Sequence, residues 1–195
     1  MKKLCALIIG HKQKSPGVMN TEANISEFEF NEELAKRIQK EKLDKADIIR
    51  MYRRTYKSLP DDINELAPDF AISLQCNSFK VNQGVSGSEV FYYHRSQQSK
   101  ILAEFLLNNF LDHLQLPDRG LQPVTAEGRN GYLLKYTNCP IVIAAPFFID
   151  NYEDLSKVLL DTDNLAMAYV KAIEEFAGCM DELLGMLEGF HGINA

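Results

Sequence analysis

Leu4-Cys5-Ala6-Leu7-Ile8-Ile9-Gly10-His11 is an unbroken apolar run that stops at a glycine and then presents a histidine. A strand buried on both faces has this character, because neighbours above and below remove any need for polar alternation. In open α/β sheets ligands usually bind in the crevice beyond the carboxyl ends of the strands, so His11 stands where chemistry is expected. By itself a histidine there is more often a hydrogen-bonded loop residue than a functional one.

Outward from this run, strands and helices alternate. Lys12 to Val18 is a polar loop punctuated by Pro16 and Gly17. Ser26-Glu27-Phe28-Glu29 has the spacing of a capping box, and Phe30, Leu34 and Ile38 form one apolar stripe on a helix predicted to run to about Asp44. Glu27 falls in the first turn, where the helix dipole favours an acid for purely structural reasons. Further strands are expected at Asp47 to Arg53, Phe70 to Cys76, Glu89 to His94 and Pro140 to Pro146.

Helices are expected at Leu59 to Ala67, from Ser96 to before Pro117, at Tyr152 to Leu160 and at Asp163 to Leu187, with a helical turn at Asn130 to Tyr136. Gly178 and Gly185 are candidate breaks in the last helix. Lys80 to Ser88 reads as a flexible loop, and the stretch through Gly120, Pro123 and Gly128 as loop too. The pattern predicts an α/β fold over residues 1–195: a single domain with an open mixed, mostly parallel sheet flanked by helices on both faces. Residues 179–195 are expected to form a C-terminal helical extension that packs on its own domain, with a homodimer contact through this helix as the alternative.

Composition excludes several classes. The net charge is −6 and no dense basic stripe appears, so nucleic acid is not an expected partner. Arg50, Arg53, Arg54 and Lys57 form only a short cluster, read as a solvated edge. No run approaches the roughly 20 apolar residues of a membrane span. The opening Met1-Lys2-Lys3 imitates a signal peptide but lacks a small-x-small cleavage site, so synthesis in the cytoplasm without a signal peptide is the expectation. The four cysteines, Cys5, Cys76, Cys139 and Cys179, lie far apart with no CxxC pair, as reduced thiols do.

Several segments together resemble one family. These are Ile9-Gly10-His11, Ser26-Glu27-Phe28-Glu29-Phe30-Asn31, Ile72-Ser73-Leu74-Gln75-Cys76-Asn77-Ser78, Val90-Phe91-Tyr92-Tyr93, Pro140-Ile141-Val142-Ile143 and Phe148-Ile149-Asp150-Asn151. Their order and spacing, over about residues 3 to 177, are similar to the zinc-dependent N-acetylmuramoyl-L-alanine amidases of the amidase type 3 family. The resemblance implies a zinc held by histidine, glutamate and histidine, with a water on the open fourth position and a glutamate to take its proton. The bond cut would be the amide between muramic acid and L-alanine in peptidoglycan.

Carried over residue by residue, His11 matches the first metal ligand and Glu27 the second. Gln75 stands where the third ligand, a histidine, belongs, and Ala145 stands where the catalytic glutamate belongs, three residues ahead of Phe148. A glutamine can offer only a neutral amide oxygen, so zinc should be weakened or absent. Ala145 has no proton-accepting atom, and loss of a general base removes roughly 10²–10⁴ of rate. Glu89 and His94 are the nearest candidates for rescue, though more often such groups are network or surface residues. Cys76 should point away from Gln75 along a continuing strand, and His113 and His191 read as surface.

The expectation is therefore an amidase-like zinc hydrolase domain acting on peptidoglycan, with hydrolysis impaired or absent. The alternative is a non-catalytic module that binds muropeptide fragments or a protein through the same cleft. As a lytic, endolysin-like enzyme it would act at the cell wall.

Overall fold

The amino-terminal apolar run becomes β1 (Lys3–Ile9), whose last five residues are buried. In the computed structural model, which describes residues 1–79, 84–128 and 130–191, the chain continues through β2 (Met19–Asn20) and β3 (Ile25–Ser26), a small antiparallel pair. There follow α1 (Glu27–Lys40), β4 (Ala46–Tyr52), α2 (Leu59–Leu66), β5 (Phe70–Leu74) and β6 (Ser88–Tyr93). The rest is α3 (Gln97–Leu114), β7 (Asp118–Val124), α4 (Gly131–Tyr136), β8 (Ile141–Ala145), α5 (Tyr152–Leu160) and α6 (Thr162–His191).

Six strands form one sheet in the order β4-β1-β5-β8-β6-β7. β4, β1, β5 and β8 run parallel, β6 is antiparallel to β8, and β7 is parallel to β6. This is the mixed, mostly parallel sheet that the alternation of elements implied. Along β1, Cys5, Leu7 and Ile9 enter a core shared with α1, α3, α5 and α6, while Ala6 and Ile8 enter a smaller one under α2 and α4. Covering both faces explains why β1 is apolar from Leu4 onward.

Local chemistry sets the element ends. Ser26 accepts from the Glu29 N–H at 3.3 Å and Glu29 accepts from the Ser26 N–H at 2.9 Å, so the capping box forms as read. α1 stops at Lys40 rather than near Asp44, because the apolar stripe ends with Ile38 and Glu41 takes extended backbone. β5 ends at Leu74, two residues short of Cys76.

The stretch around Gly120 and Pro123, read as loop, is the edge strand β7. An edge strand bonds on one side only, so proline's missing N–H is tolerated there. Gly178 and Gly185 do not interrupt α6, which is one helix from Thr162 to His191. At Gly178 a Cβ would meet the Lys45 ammonium at 2.6 Å, so the glycine admits a close approach. His113 is half-buried, its Nδ1 2.8 Å from Asn164 Oδ1, and is not a plain surface residue.

The segment read as a flexible loop from Lys80 falls partly outside the described residues, as does the His191 side chain. Among the described residues no helix is long and apolar enough to cross a membrane. All four cysteines are free.

Candidate functional site

The parallel strands β1, β5 and β8 end at one edge of the sheet, and three short segments leave them there. After β1, the Gly10 N–H donates to the Leu74 carbonyl at 3.0 Å, and a Cβ on Gly10 would lie 2.4 Å from that oxygen. Only a residue without a side chain fits so close to a neighbouring strand's backbone. His11 follows with φ 64°, a left-handed conformation that is uncommon for a residue with a Cβ. Its Nε2 lies 3.0 Å from Glu27 Oε2.

Glu27 is 3% exposed and opens α1. Its N–H donates to the Val18 carbonyl, and its Oε1 accepts from the Cys76 N–H at 3.0 Å. Gly17, at φ +84°, runs over the pair: a Cβ would sit 2.7 Å from Glu27 Oε2 and 2.8 Å from the His11 ring. The loop after β1 thus needs a glycine at 17 both for its conformation and for room.

After β5, the Gln75 N–H donates to the Ala144 carbonyl at 3.0 Å, and the Asn77 N–H to the Phe147 carbonyl at 2.9 Å. Gln75 and Cys76 both border the cleft, but the Cys76 side chain is buried in the larger core with its thiol 3.8 Å from Asn31 Oδ1. Burial pushes this thiol well above the ordinary range, and the nearby Glu27 charge pushes the same way.

β8 delivers Ala145 to this edge. Antiparallel pairing sets Glu89 of β6 directly across from it, so the two side chains share a face with Cβ atoms roughly 5 Å apart. Glu89 is 7% exposed; its Oε1 accepts from Asn77 Nδ2 at 2.7 Å and its Oε2 from Arg119 Nε at 3.3 Å. The Arg119 guanidinium lies 5.0 Å from the Phe148 ring centroid. His94 is exposed against Tyr93 and is not among the cleft residues.

His11, Glu27, Gln75 and Ala145 thus line one cleft of about 1010 Å³, together with Glu89, Arg119 and Asp150. That volume is large enough for a multi-ring or peptide-like ligand. Arg119 and Asn77 were missed as site residues by sequence reasoning. Asn77 was visible as one of the polar residues closing β5, whereas Arg119 lay in the stretch read as loop.

A catalytic zinc takes three protein ligands drawn from histidine, cysteine and carboxylates. Among the described residues no three such side chains are grouped to hold a metal. His11 and Glu27 supply two, and Gln75 adds only a neutral amide, so this donor set falls one ligand short of that requirement. What remains is a polar floor with amide donors and acceptors and no free carboxylate at Ala145.

Solved structures share this fold. An N-acetylmuramoyl-L-alanine amidase from Clostridium difficile 630 superposes with a TM-score of 0.77 at 22% identity, covering 90% of this chain and 96% of that one. The catalytic domain of CwlV, an N-acetylmuramoyl-L-alanine amidase from Bacillus (Paenibacillus) polymyxa var. colistinus, gives 0.75 at 20% identity, covering 89% and 97%. By sequence, the N-acetylmuramoyl-L-alanine amidase LytC of Bacillus subtilis (strain 168) is 28% identical over 157 residues, 76% of this chain. The match spans 30% of that relative's length. With the model of the N-acetylmuramoyl-L-alanine amidase family matching residues 5–175, the chain belongs to that family.

Proposed function

We propose that the cleft engages muramoyl-peptide fragments of peptidoglycan, acting at the cell wall, and that amide hydrolysis there is absent or much reduced. The observation that carries this reading is the contrast within one cleft. His11 and Glu27 meet at 3.0 Å, while Ala145 ends β8 with a methyl group where the family pattern puts a proton acceptor.

Hydrolysis of an amide needs a group that takes the proton from water and passes it to the leaving amine. Glu89 is the carboxylate paired directly across from Ala145, but both its oxygens already accept hydrogen bonds, one from a guanidinium. Losing the base alone costs roughly 10²–10⁴ in rate. The amide at Gln75 should weaken zinc further, since imidazole is the better donor.

The test is a paired measurement of binding and turnover. N-acetylmuramoyl-L-alanyl peptide should perturb the NMR spectrum of the wild-type chain without release of free peptide. Gln75→His combined with Ala145→Glu should then take up zinc near stoichiometrically and release peptide. Fast turnover by the wild type would overturn the impairment, and unperturbed spectra would overturn the cleft as the binding site.

A further inference from the structure

The single lysine or arginine among the described residues lining the cleft is aimed by a backbone irregularity. β6 and β7 run parallel, but their register slips: Ser88 faces Asp118 while Glu89 faces Gly120, so Arg119 is the extra residue of a bulge. Bulges re-aim a side chain and recur beside functional sites. Gly87 (φ +120°) and Gly120 (φ +80°) carry the left-handed conformations around it. A Cβ on Gly87 would meet Arg119 Cγ at 2.9 Å, so the arginine stem fills the space that glycine leaves.

The head group is then held on two further sides. Its Nε donates to Glu89, whose other oxygen accepts from Asn77, and its Cζ lies over the Phe148 ring, 5.0 Å from the centroid. A guanidinium carries five N–H donors, and the Glu89 contact uses the one on Nε. Among the described residues Glu89 is the ion-pair partner of Arg119, and the arginine side chain is still 37% exposed. This is a pre-oriented fork with its terminal amino edge left for a ligand.

We propose that Arg119 is a specificity anchor that receives a carboxylate on the peptide part of the bound ligand. The fork of terminal N–H groups matches the two oxygens of a carboxylate. A doubly charged phosphate suits the cleft less, since Glu27, Glu89 and Asp150 already line it. The inference rests on the reading that the cleft takes muramoyl peptides.

Calorimetric titration of the full chain with an N-acetylmuramoyl-L-alanyl peptide that ends in a free carboxylate, and with its C-terminal carboxamide, tests it. A charge-assisted fork predicts that the wild type binds the free acid roughly 10-fold to 100-fold more tightly than the amide. Arg119→Gln should erase that preference by lowering affinity for the free acid to about that for the amide. Arg119→Lys, which keeps the charge and most of the stem, should retain only part of it. A purely structural arginine would weaken both probes alike. Equal wild-type affinity for acid and amide, or a preference that survives Arg119→Gln, overturns the anchor while the cleft reading stands. Binding of neither probe by the wild type overturns the cleft reading and the anchor with it. If Arg119→Gln does not fold, the wild-type comparison and Arg119→Lys decide.

Discussion

Ala145 and Glu89 face each other across two strands, and that juxtaposition constrains any attempt to restore a base. Like charges directly opposite in an antiparallel pair repel. Ala145→Glu is therefore expected to be less stable than the isosteric Ala145→Gln by about 1 kcal/mol at neutral pH. The gap should close in acid, as the new carboxyl protonates; urea denaturation of both variants across pH measures it. A gap that is absent, or indifferent to pH, would mean that Arg119 and Asn77 already absorb the second charge. At this scale His11 and Glu27 were legible because each sits at a recognisable local signal, a glycine after an apolar run and a capping box. Gly17 and Arg119 were not, since the contacts that give them meaning reach Glu27 and Gly87, 10 and 32 positions away in the chain. No local spacing encodes such contacts.

Elements differ in how far the sequence alone declares them. α1 was readable because its cap, its stripe and its first turn agree. β7 was not, because Asp118-Arg119-Gly120-Leu121-Gln122-Pro123 has neither alternation nor an apolar run; it is a strand because β6 offers it a partner. Tertiary pairing overrode a turn-like composition. The strength of the α1 cap has a measurable consequence. Hydrogen bonds from the Ser26 hydroxyl and then its backbone N–H hold the Glu29 carboxyl below the ordinary glutamate range. A depressed carboxyl contributes stability above its unfolded pKa and loses it as pH falls through the folded value. Ser26→Ala should cost about 1 kcal/mol near neutral pH. That cost should shrink on acidification through and below the usual carboxylate range, as thermal melts over a pH series would show. A cost that holds constant into strong acid would place the contribution of Ser26 in packing instead.

The whole molecule divides its labour between the two faces of the sheet. The larger core joins β1, β5 and β8 to α1, α3 and α6, while the face under α2 and α4 holds the smaller core and, at its carboxyl edge, the cleft. Alternation enforces the division: Val142 and Ala144 point into the larger core, Ile141 and Ile143 into the smaller, and Ala145 continues the latter series. Phe176 of α6 anchors the larger side, buried and edge-on to Phe70 at 5.0 Å. Truncating a buried phenylalanine costs ~3–5 kcal/mol, a large share of the ~5–15 kcal/mol that holds a domain folded. Phe176→Ala should therefore lower the urea midpoint sharply while leaving the affinity for a muramoyl peptide unchanged in the folded protein. Combined with Ala145→Glu, on the other face, its cost should add to within about 0.5 kcal/mol, as independent sites do. Coupling well beyond that would mean that the sheet transmits core packing to the cleft floor, and that restoring a base would also require repacking beneath α6.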